Sequence, residues 1–167
     1  MKMRVAIVDF GLGNLFSVQQ ACAAVGLEAS ITSSPPEVAR ADAIILPGVG
    51  AFADAMVALR SGGLDVVLRE ASEGGKLVVG ICLGMQLLCT TSAEFGHHRG
   101  LAIIDGTVRL LPGGMTGRLG LSAKVPEVGW NAIHPAASWA RTPLEGTPDG
   151  TQFYFVHSYY VEPADSG

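Results

Sequence analysis

Three times in the first ninety residues, a short run of β-branched and aliphatic residues reaches glycine and gives way to a helical pattern. "RVAIVDF" (4–10) runs into "GLGN" and then "NLFSVQQACAAVG". There Leu15, Val18, Cys22 and Val25 recur at helical spacing before Gly26 stops the helix. "DAIILPGVGAF" is a buried strand entering a Gly/Pro loop, and "DAMVALRSGGLDVVLREASEGG" is then one helix, or two broken near Gly62 and Gly63. "KLVVGICLGMQLLCTT" reads as strand, sharp turn and helix. Between these units "LEASITSS" supplies another strand, and "PPEVARA" a short helix with proline at its start. Strands separated by helices pair in parallel through right-handed crossovers.

After residue 95 the pattern changes. "LAIIDGTVRLLP", "KVPEVGWNAI" and "QFYFVHSYYVEP" look like strands separated by Gly/Pro-rich loops, and "PGGMTGRLGLS" (112–122) reads as a surface loop or hairpin. No linker or internal repeat divides the chain. Residues 1–167 are therefore expected to form a single α/β domain. Its expected architecture is an open, mostly parallel sheet flanked by helices, with extra antiparallel strands toward the C-terminus.

Composition narrows the function classes. Apolar residues make up 49% of the chain and charged residues only 16%, which excludes disorder and suits strands covered on both faces. A net charge of −4 without a Lys/Arg cluster argues against nucleic acid and anionic membrane surfaces as partners. Three cysteines, Cys22, Cys82 and Cys89, make an odd set that suits a reducing cytosol better than a disulfide framework. "MKMRVAIVDFG" has too short an apolar stretch for a signal peptide, and no window reaches the roughly eighteen apolar residues of a membrane span. The chain reads as cytoplasmic. No metal-ligand spacing appears, so neither a metal nor a cofactor is expected.

Cys82 is the residue on which chemistry turns. It stands where the strand gives way to the helix, with Gly80 and Gly84 at −2 and +2, as in the G-x-S-x-G nucleophile elbow. Small neighbours let the backbone turn, and the following helix start favours a thiolate and offers the Leu83 N–H to an oxyanion. Free cysteine is also among the most buried residue types, so spacing alone leaves both a nucleophile and a core residue open. Cys89 lacks the glycines and reads as packing. Gln86, four residues on, lies on the same helix face as Cys82 and either borders its pocket or faces solvent. "LPGVGAF" (46–52) should emerge at the same C-terminal sheet edge, where open α/β folds bind ligands. It either turns a backbone N–H of Val49 or Gly50 toward the site or is an ordinary glycine turn. His97 and His98 sit in a polar turn, His134 precedes proline, and His157 alternates within a strand.

"GLGNLFSV", "ILPGVGAF", "GICLGMQLL", "KVPEVGWN" and "YFVHSYY" occur in order and span nearly the whole chain. Together they resemble the glutaminase subunits of imidazole glycerol phosphate synthase, class I glutamine amidotransferases of histidine biosynthesis. The resemblance implies hydrolysis of L-glutamine through a γ-glutamyl thioester on Cys82, with Val49 and Leu83 N–H groups as the oxyanion hole. It implies glutamine contacts from Gly50, Gln86, Ser158 and Tyr159. It further implies a heterodimer with a (βα)8-barrel cyclase that takes the ammonia. Asn14 and the 125–131 segment, with Val128, Trp130 and Asn131, are candidates for that interface.

One element of the family pattern is missing. Class I amidotransferases activate the cysteine with a His-x-Glu pair beyond the strand equivalent to "YFVHSYY", and here only "VEPADSG" follows. Glu162–Pro163 has no histidine at that spacing, and His157 is not the triad histidine of the family. The expectation is a domain lacking its C-terminal part, impaired in glutamine hydrolysis because nothing draws off the thiol proton or protonates the leaving ammonia. The alternative is a non-catalytic docking or regulatory partner of an amidotransferase synthase.

Overall fold

The computed structural model describes residues 3–113 and 125–165, so most of the expected 112–122 loop or hairpin lies outside the described residues. The described residues divide into two compact units: those up to Arg109 with 161–165, and those from Leu110 to Tyr160.

The first unit opens with the expected alternation. β1 (Arg4–Val8), β2 (Glu28–Thr32), β3 (Ala43–Gly48) and β4 (Leu77–Cys82) form a parallel sheet in the order β2-β1-β3-β4. The connections are α1 (Leu15–Ala24), α2 (Pro35–Arg40), α3 (Phe52–Ser61) and α4 (Leu64–Glu73). β1 and β3 are buried along nearly their whole length, as inner strands of an α/β sheet should be. β4 is an edge strand and remains half exposed.

Each helix boundary has a local cause. Asn14 caps α1 by accepting the Ser17 N–H at 3.3 Å. Helical spacing groups Val25 with Cys22, yet Val25 is 74% exposed and only Cys22 of α1 is buried. The helix ends at Ala24, and Gly26 (φ +77) turns the chain so that the Leu27 N–H returns to the Cys22 carbonyl. The 54–75 segment is divided between two helices, because Gly63 at φ +67 breaks the helical path. In α4, Leu64, Val67, Leu68 and Ala71 are buried at i, i+3, i+4 and i+7. They join Ile7, Ile44, Leu46, Phe52 and Leu59 in the core.

The strand–turn–helix at Cys82 is shorter than its helical pattern suggests. α5 (Leu83–Leu87) has five residues, and "CTTS" leaves it as β5 (Cys89–Ser92). The Leu101 N–H takes the Leu87 carbonyl and the Ile103 and Ile104 N–H groups take that of Leu88, each at 2.9 Å. Those acceptors are thereby lost to any longer helix. β5 lies between β6 (His98–Arg99, antiparallel) and β7 (Ile104–Leu110, parallel), with β10 (Tyr159–Pro163) beyond β7. His98, expected in a turn, therefore belongs to a short strand.

In the second unit β8 (Glu127–Ala132) and β9 (Gln152–His157) pair antiparallel, Val128 opposite Val156 and Trp130 opposite Tyr154. The "QFYFVHSYYVEP" run breaks at Ser158, whose carbonyl accepts the Leu111 N–H at 2.8 Å. Among the described residues no helix is long and apolar enough to cross a membrane.

Two positions on α3 test this packing. Leu59 is fully buried and Val57 is 62% exposed. Leu59→Ala should lower stability by about 2–5 kcal/mol and Val57→Ala by less than about 0.5 kcal/mol, both read from urea midpoints.

Candidate active site

Parallel pairing of β3 with β4 sets Gly48 opposite Cys82, so Val49 and Leu83 each follow a paired residue at the same sheet edge. Cys82 is the last residue of β4 and the N-cap of α5, with φ 54 and ψ −118. A side chain in that region costs on the order of 1–3 kcal/mol, so the surrounding packing must hold it there.

Two glycines do so. A Cβ at Gly84 would lie 2.7 Å from the Leu46 carbonyl carbon and nearer still to its oxygen. A Cβ at Gly80 would lie 2.6 Å from the Met85 nitrogen, with the Met85 Cα closer again. Neither neighbour is a side chain that could swing away. Glycine at −2 and +2 is thus required by the descent of α5 onto β3 and β4. The thiol of Cys82 is exposed, whereas Leu83, Leu87 and Cys89 are buried. Burial pushes the Cys89 thiol up, which favours its protonated, unreactive form.

The Leu83 N–H opens α5 and has no acceptor within the helix. The Val49 N–H points elsewhere, donating to the Leu12 carbonyl at 3.2 Å. Gly50 beside it has φ +103, and no atom lies within 4 Å of the Cβ position. Gln86 is half buried on α5 and has a partner of its own.

The first unit thus brings Cys82, Leu83 and Gln86 together on one strand–helix segment, and register brings Val49 and Gly50 to the same edge. Ser158 and Tyr159 belong to the second unit, where His157 Nδ1–H donates to the Tyr159 carbonyl at 2.9 Å. Of the interface candidates, Asn14 serves as the α1 cap. Val128 and Trp130 are exposed on β8, and the Trp130 ring lies 5.6 Å from that of Tyr154. Asn131 donates to the Glu127 carboxylate at 2.9 Å. Among the described residues no three His, Cys, Asp or Glu side chains converge as metal ligands. Two surface hollows of about 240 and 270 Å³ lie elsewhere on the first unit, and neither is lined by Cys82.

Two contacts of the Val49 loop have no signal in the sequence pattern. One is the Leu12 carbonyl. The other is Glu94, whose Oε2 accepts the Phe52 N–H at 2.7 Å across 42 residues.

Comparison with known proteins bears on this geometry. Residues 10–126 match the family model of the CobB/CobQ-like glutamine amidotransferase domain. The fold resembles a crystal structure of a glutamine amidotransferase, with TM-score 0.69 and 18% identity over 98% of this chain and 76% of that one. It also resembles PurLQS from Thermotoga maritima, with TM-score 0.70 and 21% identity over 99% and 72%. Fold and family model together define a glutamine amidotransferase of class I. The imidazole glycerol phosphate synthase subunits HisH of Moorella thermoacetica and Syntrophotalea carbinolica are 46% and 48% identical to the chain. The alignments cover 96% and 97% of this chain and 72% and 77% of theirs. The chain belongs to this HisH family.

The three thiols offer a direct check. In the native chain iodoacetamide should modify one cysteine, Cys82, and in denaturant all three, counted by intact mass and located by peptide mapping. Rapid native labelling of Cys22 or Cys89 would contradict the packing.

Proposed function

We propose that this chain is the glutaminase subunit of an imidazole glycerol phosphate synthase, with Cys82 as its nucleophile. The observation carrying this reading is the exposed thiol at a strained strand–helix turn between two glycines. The Cys82 sulfur attacks the side-chain amide carbon of L-glutamine. The C–N bond then breaks, ammonia leaves, and a γ-glutamyl thioester remains. Water hydrolyses the thioester to glutamate and restores the thiol. Leu83 N–H is the standing oxyanion donor. Val49 N–H is the second, and becomes available once its bond to Leu12 is released, a peptide rotation that Gly50 next to it allows. Gly50, Gln86, Ser158 and Tyr159 hold the glutamine.

Ammonia passes to a (βα)8-barrel cyclase bound as a heterodimer. There it reacts with the ribulosyl formimino nucleotide to give imidazole glycerol phosphate and AICAR, a step of cytoplasmic histidine biosynthesis. Asn14, Val128, Trp130 and Asn131 are the docking residues. An exposed β8–β9 face favours that assignment, since Val128, Trp130, Tyr154 and Val156 form two apolar cross-strand pairs open to solvent.

The 167 residues include no His-x-Glu after Tyr160, so the thiol has neither base nor acid at that place. Their own glutamine hydrolysis is expected to fall about 10²–10⁴-fold below that of a form supplied with such a pair. Extending the chain with the His-x-Glu segment of a relative, and adding the cyclase and its nucleotide, should raise ammonia release from glutamine by that factor. Cys82→Ala should abolish the gain. No ammonia from the extended chain with its partner would sink the glutaminase reading. Glutamine-dependent synthesis indifferent to Cys82→Ala would favour a non-catalytic docking subunit.

A further inference from the structure

We infer that Glu94 is a positioning residue for the Val49–Gly50 loop, acting through the first turn of α3. The inference rests on the reading of that loop as part of the oxyanion hole.

α3 begins at Phe52, and its N-cap residue Ala51 has no side-chain oxygen to receive the helix's leading N–H groups. The Glu94 carboxylate fills that role from a distant segment, accepting the Phe52 N–H at 2.7 Å, where its charge also complements the helix dipole. Glu94 is in turn oriented by Ser92, a fully buried residue of β5 whose Oγ accepts the Glu94 N–H at 3.1 Å. β5 is the direct continuation of α5, the helix that starts at Cys82. The segment that carries the thiol therefore returns a carboxylate to the far end of the loop that faces it.

Other contacts make the anchor firm. The Phe52 side chain is fully buried, and its ring tip comes within 3.1 Å of where a Cβ would stand on Gly100. At the other end of α3, the Arg60 guanidinium donates to the Arg99 carbonyl at 2.9 Å. β3 ends at Gly48 in register with Cys82, so only Val49, Gly50 and Ala51 span from one fixed end to the other. A three-residue span held at both ends leaves local peptide rotation as its main freedom. That is the motion which moves the Val49 N–H between Leu12 and an oxyanion without displacing the loop. If Phe52 loses its anchor, the whole span moves instead, and the donor is no longer placed to the tolerance that oxyanion stabilisation needs.

The test reads the loop directly, in the chain as it stands and without glutamine or partner. Amide exchange by NMR is compared for the wild type, Glu94→Ala and Glu94→Gln, with Ile7 and Ile45 of the central strands as internal references. Glu94→Ala should raise exchange at Val49, whose N–H is held by the Leu12 carbonyl, by about tenfold while Ile7 and Ile45 keep their rates. Glu94→Gln retains an acceptor oxygen and should recover most of the protection. Should Glu94→Ala not fold, a smaller rise confined to Val49–Phe52 in Glu94→Gln supports the role. Unchanged exchange at Val49 overturns it, and so does an equal rise at the reference amides. Because no turnover is measured, this result stands apart from success or failure of the glutaminase assay.

Discussion

The approach of Gly84 onto the Leu46 carbonyl is the contact on which the site's geometry depends. It seats α5 against the end of β3, which lies beside β4 with Gly48 opposite Cys82. A helix that close to its own strand leaves the connecting residue no relaxed backbone, and Cys82 accordingly takes φ 54. Exposure of the thiol follows from the same descent, because Leu83 and Leu87 go under the helix and Cys82 is left at the turn. Any side chain at residue 84 would lift α5, relax Cys82 and separate Leu83 from Val49 together.

The loop opposite has a different character. Its ends are firm, at the paired Gly48 and the capped Phe52, whereas Val49 in its middle is held by a hydrogen bond to the Leu12 carbonyl. A neutral bond of that kind is worth on the order of 1 kcal/mol net, small enough for ligand or partner contacts to exchange it. The proposed chemistry thus divides between a rigid element, the Cys82 turn, and an adjustable one, the Val49 peptide. Rigidity on the nucleophile side and adjustment on the donor side suit the proposed function, in which ammonia is useful only when a partner is ready to take it.

Family membership and the geometry at Cys82 rest on independent observations. The alignments to the HisH relatives cover nearly the whole chain, whereas the steric requirement for glycine at 80 and 84 comes from atoms alone. The β8–β9 pair adds a surface with Trp130 and Val128 in the open. An isolated two-stranded ribbon with two apolar pairs on a wet face gains little from solvent and much from being covered.

The sequence by itself determined the alternation of strands and helices, the parallel sheet, the Cys82 turn and the family. Each of these rests on local grammar. β-Branched runs, a capping Asn14, a helix-breaking Gly63 and paired glycines around a cysteine act within a few residues of where they stand. Tertiary structure alone decided that α5 stops at Leu87, where the N–H groups of Leu101, Ile103 and Ile104 take the Leu87 and Leu88 carbonyls, and that the strand through Ser158 breaks in two. It alone decided that Val25 is exposed, that Val49 is bound to Leu12, and that Glu94 reaches Phe52. Apart from Val25, whose exposure follows from the turn at Gly26, those outcomes turn on hydrogen bonds between groups far apart in the chain, where a backbone carbonyl or an isolated carboxylate leaves no periodic trace. Local pattern selects the elements, and competition for distant donors and acceptors decides where they end and what they hold.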